Sequence, residues 1–197
     1  MKSLRLAILM TILLAAAVAA AGPRDHLDGF FLRLSVGGGS ADTAYDDGTD
    51  DLEFSGTAGD VNIAIGGIVA PNLALHGTLF GASMTDPDFA INGATGVVNG
   101  DITMAGLGVG LTYYIMPANI YVSGSIGSGT MELDSFVDAR TDRGPMLDVT
   151  VGKEWWVGEK WALGVAVGLQ AHKFGENGMD ESWSGTSKAI RFSATMN

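Results

Sequence analysis

Eight segments of the chain alternate large apolar residues with small or polar ones, and this period of two limits the fold more than any other feature. Such a period places successive side chains on opposite faces of a β-strand. The segments cover residues 30–39, 60–70, 73–84, 102–116, 120–131, 145–157, 161–172 and 186–196. Because a strand of about ten residues can span a bilayer, the repeated pattern predicts transmembrane β-strands.

The connections between these segments are alternately short and long. The short ones are Pro71-Asn72, Pro117–Asn119 and Gly158–Lys160, and the long ones are Ala41–Gly59, Thr85–Gly100, Glu132–Gly144 and Lys173–Gly185. With the N-terminus in the periplasm, every short turn is periplasmic and every long loop is extracellular, as in outer-membrane barrels. An even number of strands brings the last one beside the first, so the predicted fold is an all-β, eight-stranded antiparallel up-and-down barrel without a free edge.

The chemistry of the two strand faces separates a membrane barrel from a soluble one. A soluble barrel of the lipocalin or avidin kind has its apolar residues inside. Here one face of each strand is large and apolar, and the other is mainly Gly, Ala, Ser and Thr, which suit a narrow lumen. Two short turns are also flanked by aromatic residues typical of a membrane interface, namely Trp155, Trp156 and Trp161 and, at the other turn, Tyr113, Tyr114 and Tyr121. The sequence favours the membrane barrel, with the soluble barrel as the alternative.

The N-terminal 21 residues have the pattern of a secretory signal peptide. Lys2 and Arg5 precede an apolar stretch at 6–14, and Ala19 and Ala21 place small residues before a predicted cleavage after Ala21. Residues 22–29 are then expected to be a periplasmic lead-in, and residues 30–197 a single barrel domain. Export and barrel together predict the outer membrane of a Gram-negative bacterium.

Composition argues against several other classes of protein. The sequence has no cysteine, which excludes disulfides and thiolate metal sites. The net charge is −11, and it is more negative without Lys2 and Arg5, whereas nucleic-acid binding requires basic patches. The three histidines are scattered rather than spaced as zinc ligands, and the glycine-rich stretches are not followed by a helix, as a phosphate loop requires. We therefore expect no cofactor and no nucleic-acid partner.

The signal peptide, the eight strands and the closing segment Ile190–Asn197 together resemble the small outer-membrane β-barrel family of OmpA-like and opacity-type surface proteins. The resemblance covers the whole predicted mature chain. Members usually end in an aromatic residue that the insertion machinery reads, whereas this chain ends in Asn197, with Phe192 and Met196 nearby. The resemblance implies a monomer whose partners are outer-membrane lipid, lipopolysaccharide and the barrel-insertion machinery.

The alternation assigns a set of polar side chains to the lumen. They are Arg33, Asn62, His76, Asp148, Glu154, Gln170, His172 and Arg191. The lumen of an eight-stranded barrel is only wide enough for side chains to fill it, and buried charges need partners. A structural polar network is therefore favoured over an ion path or a catalytic cluster.

Strand pairing about the Gly158–Lys160 turn predicts how high several of these lumen residues lie along the barrel axis. It places Asp148 opposite Gln170, with His172 one inward step higher, and Glu154 opposite Gly164. From these heights we predict an Arg33–Glu154–Arg191 network near the periplasmic side. In the third strand, the parity that sends His76 inward also sends Phe80 inward, unless a bulge lies near Gly77.

The first long connection carries a run of acidic residues without a basic one. They are Asp42, Asp46, Asp47, Asp50, Asp51 and Glu53. Carboxylates at short spacing can bind a divalent cation, although the spacing does not match the twelve-residue calcium loop. A solvated acidic loop is favoured, and a bridge through divalent ions to lipopolysaccharide phosphates is the third reading.

The sequence predicts a structural or surface-interaction role through the extracellular loops, with an unidentified extracellular ligand. A narrow channel or a carrier for small apolar molecules is the alternative. An enzyme is not expected, because Ser123 and Ser125 have no sequence relation to His172 and no lipid-modifying motif is present.

Overall fold

The computed structural model describes residues 24–27, 29–46, 51–134, 139–175 and 182–197. The predicted signal peptide and residues 22, 23 and 28 of the predicted lead-in lie outside these ranges. Within them the chain forms strands only, and no helix is long and apolar enough to cross a membrane. The strands are β1 (Phe30–Asp46), β2 (Asp51–Ala70), β3 (Leu73–Thr85), β4 (Asp88–Ile91), β5 (Ala94–Val97), β6 (Asp101–Ile115), β7 (Ile120–Asp134), β8 (Ala139–Arg140), β9 (Gly144–Trp156), β10 (Trp161–Gly175) and β11 (Ser182–Met196).

The eight long strands form a closed antiparallel barrel in the order β1-β2-β3-β6-β7-β9-β10-β11. The barrel closes because β11 pairs with β1 along almost its whole length, from Leu32 opposite Met196 to Asp46 opposite Ser182. Every neighbouring pair is antiparallel, and every pair except the closing one is consecutive in sequence among the long strands. The predicted fold class is confirmed.

The two ends of the barrel differ as predicted, although parts of the connections at one end form paired strands. Residues 71–72, 116–119 and 157–160 make the short connections, and we call this the turn end. The opposite end, the loop end, is where β1 and β2 continue as a paired hairpin to Asp46 and Asp51. Much of the predicted first loop is therefore strand. The sequence did not reveal this, because most residues of this segment are polar and do not alternate with apolar ones.

The second predicted loop, Thr85–Gly100, also contains paired strands. β4 and β5 form a hairpin whose Asn92-Gly93 turn has positive φ at both residues, 48° and 84°, as two-residue hairpin turns prefer. β4 adds to β2 beyond the point where β3 ends, so that Leu52 lies opposite Ile91 and Ser55 opposite Asp88. The sheet of β1 and β2 thus extends past the barrel and carries β5 at its edge.

The outer surface of the barrel is apolar around its middle and turn-end half. Leu107 is 66% exposed and Phe192 is 63% exposed, although the alternate residues of the same strands are small or buried. A soluble barrel would bury this face, so the prediction from the two faces holds. The aromatic girdle is smaller than predicted: Tyr113, Trp155 and Trp161 face outward, whereas Tyr114, Tyr121 and Trp156 are buried in the lumen.

Glycine, 29 of 197 residues, allows close approach at specific places in this barrel. A Cβ on Gly127 of β7 would lie 2.3 Å from the Leu107 carbonyl oxygen of β6, and one on Gly168 would lie 2.4 Å from the Arg191 guanidinium carbon. Both distances are well inside van der Waals contact. The first glycine lets two strands approach, and the second leaves room for the largest fully buried side chain of the lumen.

Candidate functional site

The middle of the lumen is built around Arg191 of β11. Its guanidinium donates to Asp60 of β2 at 2.5 and 2.9 Å, and to Asp148 of β9 at 2.6 and 3.2 Å. Thr150 accepts a further hydrogen bond from it at 2.5 Å. All three charged side chains are about 1% exposed. Paired and hydrogen-bonded in this way, the charges are tolerated inside the barrel.

Two amides complete the hydrogen bonding of these carboxylates. Gln170 donates to Asp60 at 2.9 Å, and Asn62 donates to Asp148 at 3.2 Å. The predicted register of β9 and β10 is confirmed, with Asp148 opposite Gln170 and Glu154 opposite Gly164. Asp60 was missed by the sequence analysis, although it lies two residues before Asn62 and therefore on the same inward face.

A second polar layer lies closer to the turn end and contains Arg33 and His76. Arg33 donates to Ser123 at 2.9 Å and to Thr112 at 3.2 Å, and its guanidinium lies 4.3 Å from the centre of the Tyr121 ring. His76 contacts Thr112 at 3.0 Å and Thr78 at 2.7 Å. This layer is held by hydroxyl groups rather than by carboxylates.

The predicted Arg33–Glu154–Arg191 network is wrong in its pairing. Glu154 accepts hydrogen bonds from Thr195 at 2.6 Å and Tyr114 at 3.2 Å, and neither arginine is its ion-pair partner in the described part of the chain. The error has a physical reason. Strand parity fixes which side chains enter the lumen, but the height of each depends on strand tilt and stagger around the barrel, which parity does not contain.

The inward position of Phe80 is part of a regular strand. His76 and Phe80 are 3% and 0% exposed, and the pairing of β3 with β6 runs without a shift from Leu73 to Thr85. The bulge near Gly77 is therefore absent, and the one irregularity between β2 and β3 lies at Ile68–Ala70. Phe80 enters the lumen through the regular alternation of β3 and packs there among apolar side chains.

The loop-end third of the lumen holds an apolar cluster that the sequence analysis did not find. We call it the outer cluster, and it consists of Ala41, Phe54, Ala58, Phe80, Ala82, Met84, Ile102, Met104, Met131, Met146 and Phe174. His172 lies opposite Met146 of this cluster, contacting Thr43 at 3.0 Å and stacking on Phe174 with ring centres 4.9 Å apart. The inward-facing methionines could have signalled this layer, since methionine on the face opposite an apolar belt must fill a lumen.

The turn end is covered by the lead-in, whose His26 is 2% exposed. The His26 ring stacks on Tyr114 with centres 3.8 Å apart and bonds to Asn119 at 2.9 Å and to Asn197. Its backbone carbonyl accepts from the Asn72 amide at 2.7 Å. Arg24 adds a hydrogen bond to the Glu159 carbonyl at 3.0 Å. The lead-in therefore joins all three short connections and the last residue of the chain.

The described acidic residues of the first connection lie on the paired strands β1 and β2. Asp42 is in β1 and bonds to the backbone amide and hydroxyl of Thr186 in β11, and Glu53 is exposed on β2. Asp46 and Asp51 lie opposite each other in the register, and Asp47 and Asp50 lie outside the described residues. Within the described ranges, no three acidic or histidine side chains are placed to hold a metal ion.

No protein-family model matches the sequence, and no curated protein is significantly similar to it. Among solved structures, Neisserial surface protein A matches with a TM-score of 0.53 and 10% identity, over 86% of this chain and 97% of that one. The chain has the fold of the small outer-membrane barrels. OprG from Pseudomonas aeruginosa also matches, with a TM-score of 0.48 and 14% identity over 89% of this chain and 98% of that one. Ail of Yersinia pestis matches with a TM-score of 0.45 and 10% identity over 84% and 98%.

Proposed function

We propose that this protein is an integral outer-membrane barrel with a closed lumen that acts through its extracellular surface. The observation that carries the proposal is the filling of the lumen at every level by buried side chains. The outer cluster fills the loop end, the Arg191 and Arg33 layers fill the middle, and His26 covers the turn end. An interior packed in this way supports a scaffold rather than a pore.

Conductance across planar bilayers tests the closed lumen. We expect no steady conductance from the purified chain under conditions in which a general porin conducts. Discrete, long-lived openings would contradict the proposal and support the narrow-channel alternative. Heat-dependent mobility on a denaturing gel confirms that the inserted protein is folded, so silence does not come from a failed insertion.

The surface role is supported by the sheet that extends past the barrel. β5 pairs with β4 and with no other strand in the described part of the chain, and Val97 is 57% exposed. An exposed strand edge can pair with an extended peptide segment. We propose that the extracellular ligand is bound in this way, as an added strand.

Peptide selection tests this edge directly. A random peptide library is selected against the protein in nanodiscs, with empty nanodiscs as the blank. We expect enriched peptides to lose binding to Thr95→Pro, which removes a backbone N–H from β5, and to retain binding to Thr95→Val, which keeps it. Enrichment that survives the proline, or none above the blank, would contradict edge pairing.

A carrier for small apolar molecules is the second candidate, and the outer cluster is what favours it. Methionine side chains are flexible and adapt to apolar ligands of different shapes, and Met84, Met104 and Met131 all belong to this cluster. An apolar fluorescent probe such as N-phenyl-1-naphthylamine should then bind saturably, and Met104→Lys should abolish that binding. Binding that does not saturate would leave the closed scaffold as the better description.

The proposal includes no enzymatic activity. Ser123 and Ser125 form hydrogen bonds with Arg33 and Thr78 inside the packed lumen, where a lipid or peptide substrate has no access. Overexpression should therefore leave the acyl pattern of lipid A unchanged by mass spectrometry. A new lipid A species would contradict this part of the proposal.

A further inference from the structure

The basic residues of the barrel domain are unevenly distributed. Arg33 and Arg191 are buried in the lumen, and Lys153 and Lys160 lie near the turn end. The remaining basic residues are exposed near the loop end, on β8, just before β9, on β10 and on β11, and they are Arg140, Arg143, Lys173 and Lys188. All the exposed cations of the loop end thus lie on one side of the barrel.

Arg140 and Arg143 border a cleft of about 210 Å³ on the outer face of β6 and β7. Towards the turn end the cleft is lined by Leu79 and Leu107, and towards the loop end by Thr130 and the two arginines. Small residues on β6 and β7, among them Ala105, Gly106, Ser128 and Gly129, leave its floor low. The cleft therefore crosses the upper edge of the apolar belt, with an apolar half below and a cationic half above.

The two arginines of the cationic half differ in their contacts. Arg140 pairs with Glu132 at 3.2 Å and donates to the Thr130 hydroxyl at 3.3 Å, which holds it at the cleft. Arg143 has no carboxylate partner in the part of the chain that the structure describes. With one carboxylate against two guanidinium groups, the cleft has a net positive charge. Guanidinium groups bind phosphate through paired N–H donors.

We propose that this cleft binds a phosphorylated lipid of the outer leaflet. The acyl chain lies over Ala105 and against Leu107, and the phosphate lies between Arg140 and Arg143. A phosphorylated lipid has an apolar chain below an anionic phosphate, and the cleft has its apolar half below its cationic half along the membrane normal. The inference rests on the proposed placement in the outer membrane, and it adds the partner and its site.

The test uses the full chain in phosphatidylcholine nanodiscs and measures the affinity for diphosphorylated lipid A and for dephosphorylated lipid A. The variant R140Q/R143Q removes the cations of the cleft. The matched control K173Q/K188Q removes the same charge from the same end of the barrel but outside the cleft. We expect about a tenfold loss of affinity for the phosphorylated lipid in R140Q/R143Q and a loss of no more than about threefold in the control.

Equal losses in the two double variants would overturn the site, because they would indicate diffuse attraction. Equal affinity of the wild type for the two lipids would overturn the role of the phosphate. Ala105→Phe fills the apolar half without changing charge, so we expect it to weaken lipid A binding, and an unchanged affinity would overturn the acyl contact. Failure of the folded wild type to enter nanodiscs would instead contradict the membrane placement itself.

Discussion

Arg191 stabilises the barrel by pairing with Asp60 and Asp148, and its removal leaves two buried carboxylates without their cation. Breaking a buried pair by removing one partner costs about 3–5 kcal/mol. We therefore expect Arg191→Gln to lower the heat-denaturation midpoint in detergent strongly or to prevent folding. Arg140→Gln removes the exposed pair with Glu132, and its effect should stay below about 1 kcal/mol.

A triple variant keeps this prediction testable if Arg191→Gln does not fold. Replacing Asp60 and Asp148 by asparagine in the Arg191→Gln background removes the stranded charges, so part of the lost stability should return. Gel mobility after heating measures the folded fraction at each temperature. A midpoint in Arg191→Gln equal to that of Arg140→Gln would show that the buried ion pairs contribute nothing beyond an exposed one.

At the scale of single residues, the sequence predicts which face of a strand a side chain lies on better than it predicts which side chains it contacts. Alternation correctly sent Arg33, Glu154 and Arg191 into the lumen, because a period of two determines the face of a strand. It could not give their heights, so it paired Glu154 with the arginines instead of with Thr195 and Tyr114. Partners on distant strands depend on the tilt of the whole barrel, which no local pattern contains.

Among the elements, the lead-in makes the turn end sensitive to pH. Burial lowers the pKa of His26 below its ordinary value of 6.5, and the hydrogen bond that its ring donates to Asn119, the hydrogen bond with Asn197 and the charge of Asp25 only partly oppose this. The docked lead-in therefore favours neutral His26, while the undocked one binds the proton more readily. The stabilisation is present above about pH 6.5 and is lost as the pH falls, by at most about 1.4 kcal/mol per pH unit.

Thermal unfolding at pH 7.5 and pH 5.5 measures this effect. The variant His26→Gln keeps a hydrogen-bonding side chain but does not titrate in this range. We expect the wild type to lose more stability than His26→Gln between the two pH values. The same loss in both proteins would mean that another group is responsible.

The strand pair β6–β7 offers a second test at this scale, because two glycines of β7 have different surroundings. A Cβ on Gly127 would meet the Leu107 carbonyl, whereas a Cβ on Gly124 of the same strand meets nothing within 4 Å. Gly127→Ala should therefore destabilise the barrel by about 1–3 kcal/mol through overpacking. Gly124→Ala should be neutral, and equal midpoints for the two variants would contradict the close approach of these strands.

Strand existence could be predicted from the sequence, and strand length could not. The segments that pack against lipid alternate clearly, so all eight long strands were found. In the Asp42–Glu53 region most residues are polar and do not alternate with apolar ones, and pairing there depends on the continuing register of β1 and β2. The hairpin β4–β5 was missed because its strands, DFAI and ATGV, are only four residues long and show no clear alternation, although its Asn92-Gly93 turn is a hairpin signal.

The molecule as a whole presents a belt of apolar side chains between two polar ends, and the belt height follows from β6. From Ala105 to Ile115 the outward residues are apolar or aromatic, and a tilted strand of this length rises about 25 Å, the height of an outer-membrane belt. The alternation of short and long connections predicted that all the short turns lie at one end of the barrel and all the long connections at the other. It did not predict that the loop-end third of the lumen is apolar too, since the membrane sets only the outer face.

A charge scan along β6 tests the membrane placement of the whole molecule. Val109 is 62% exposed and lies within the belt, whereas Thr103 is exposed above it. In water, arginine at either exposed position would be tolerated equally. In a bilayer, Val109→Arg should cost about 2–4 kcal/mol and Thr103→Arg about 0–1 kcal/mol. Reversible unfolding from lipid vesicles measures both, and because the two sites share one strand and one face, a difference between them reports depth in the membrane. Equal costs at the two positions would contradict the placement of the barrel in a membrane.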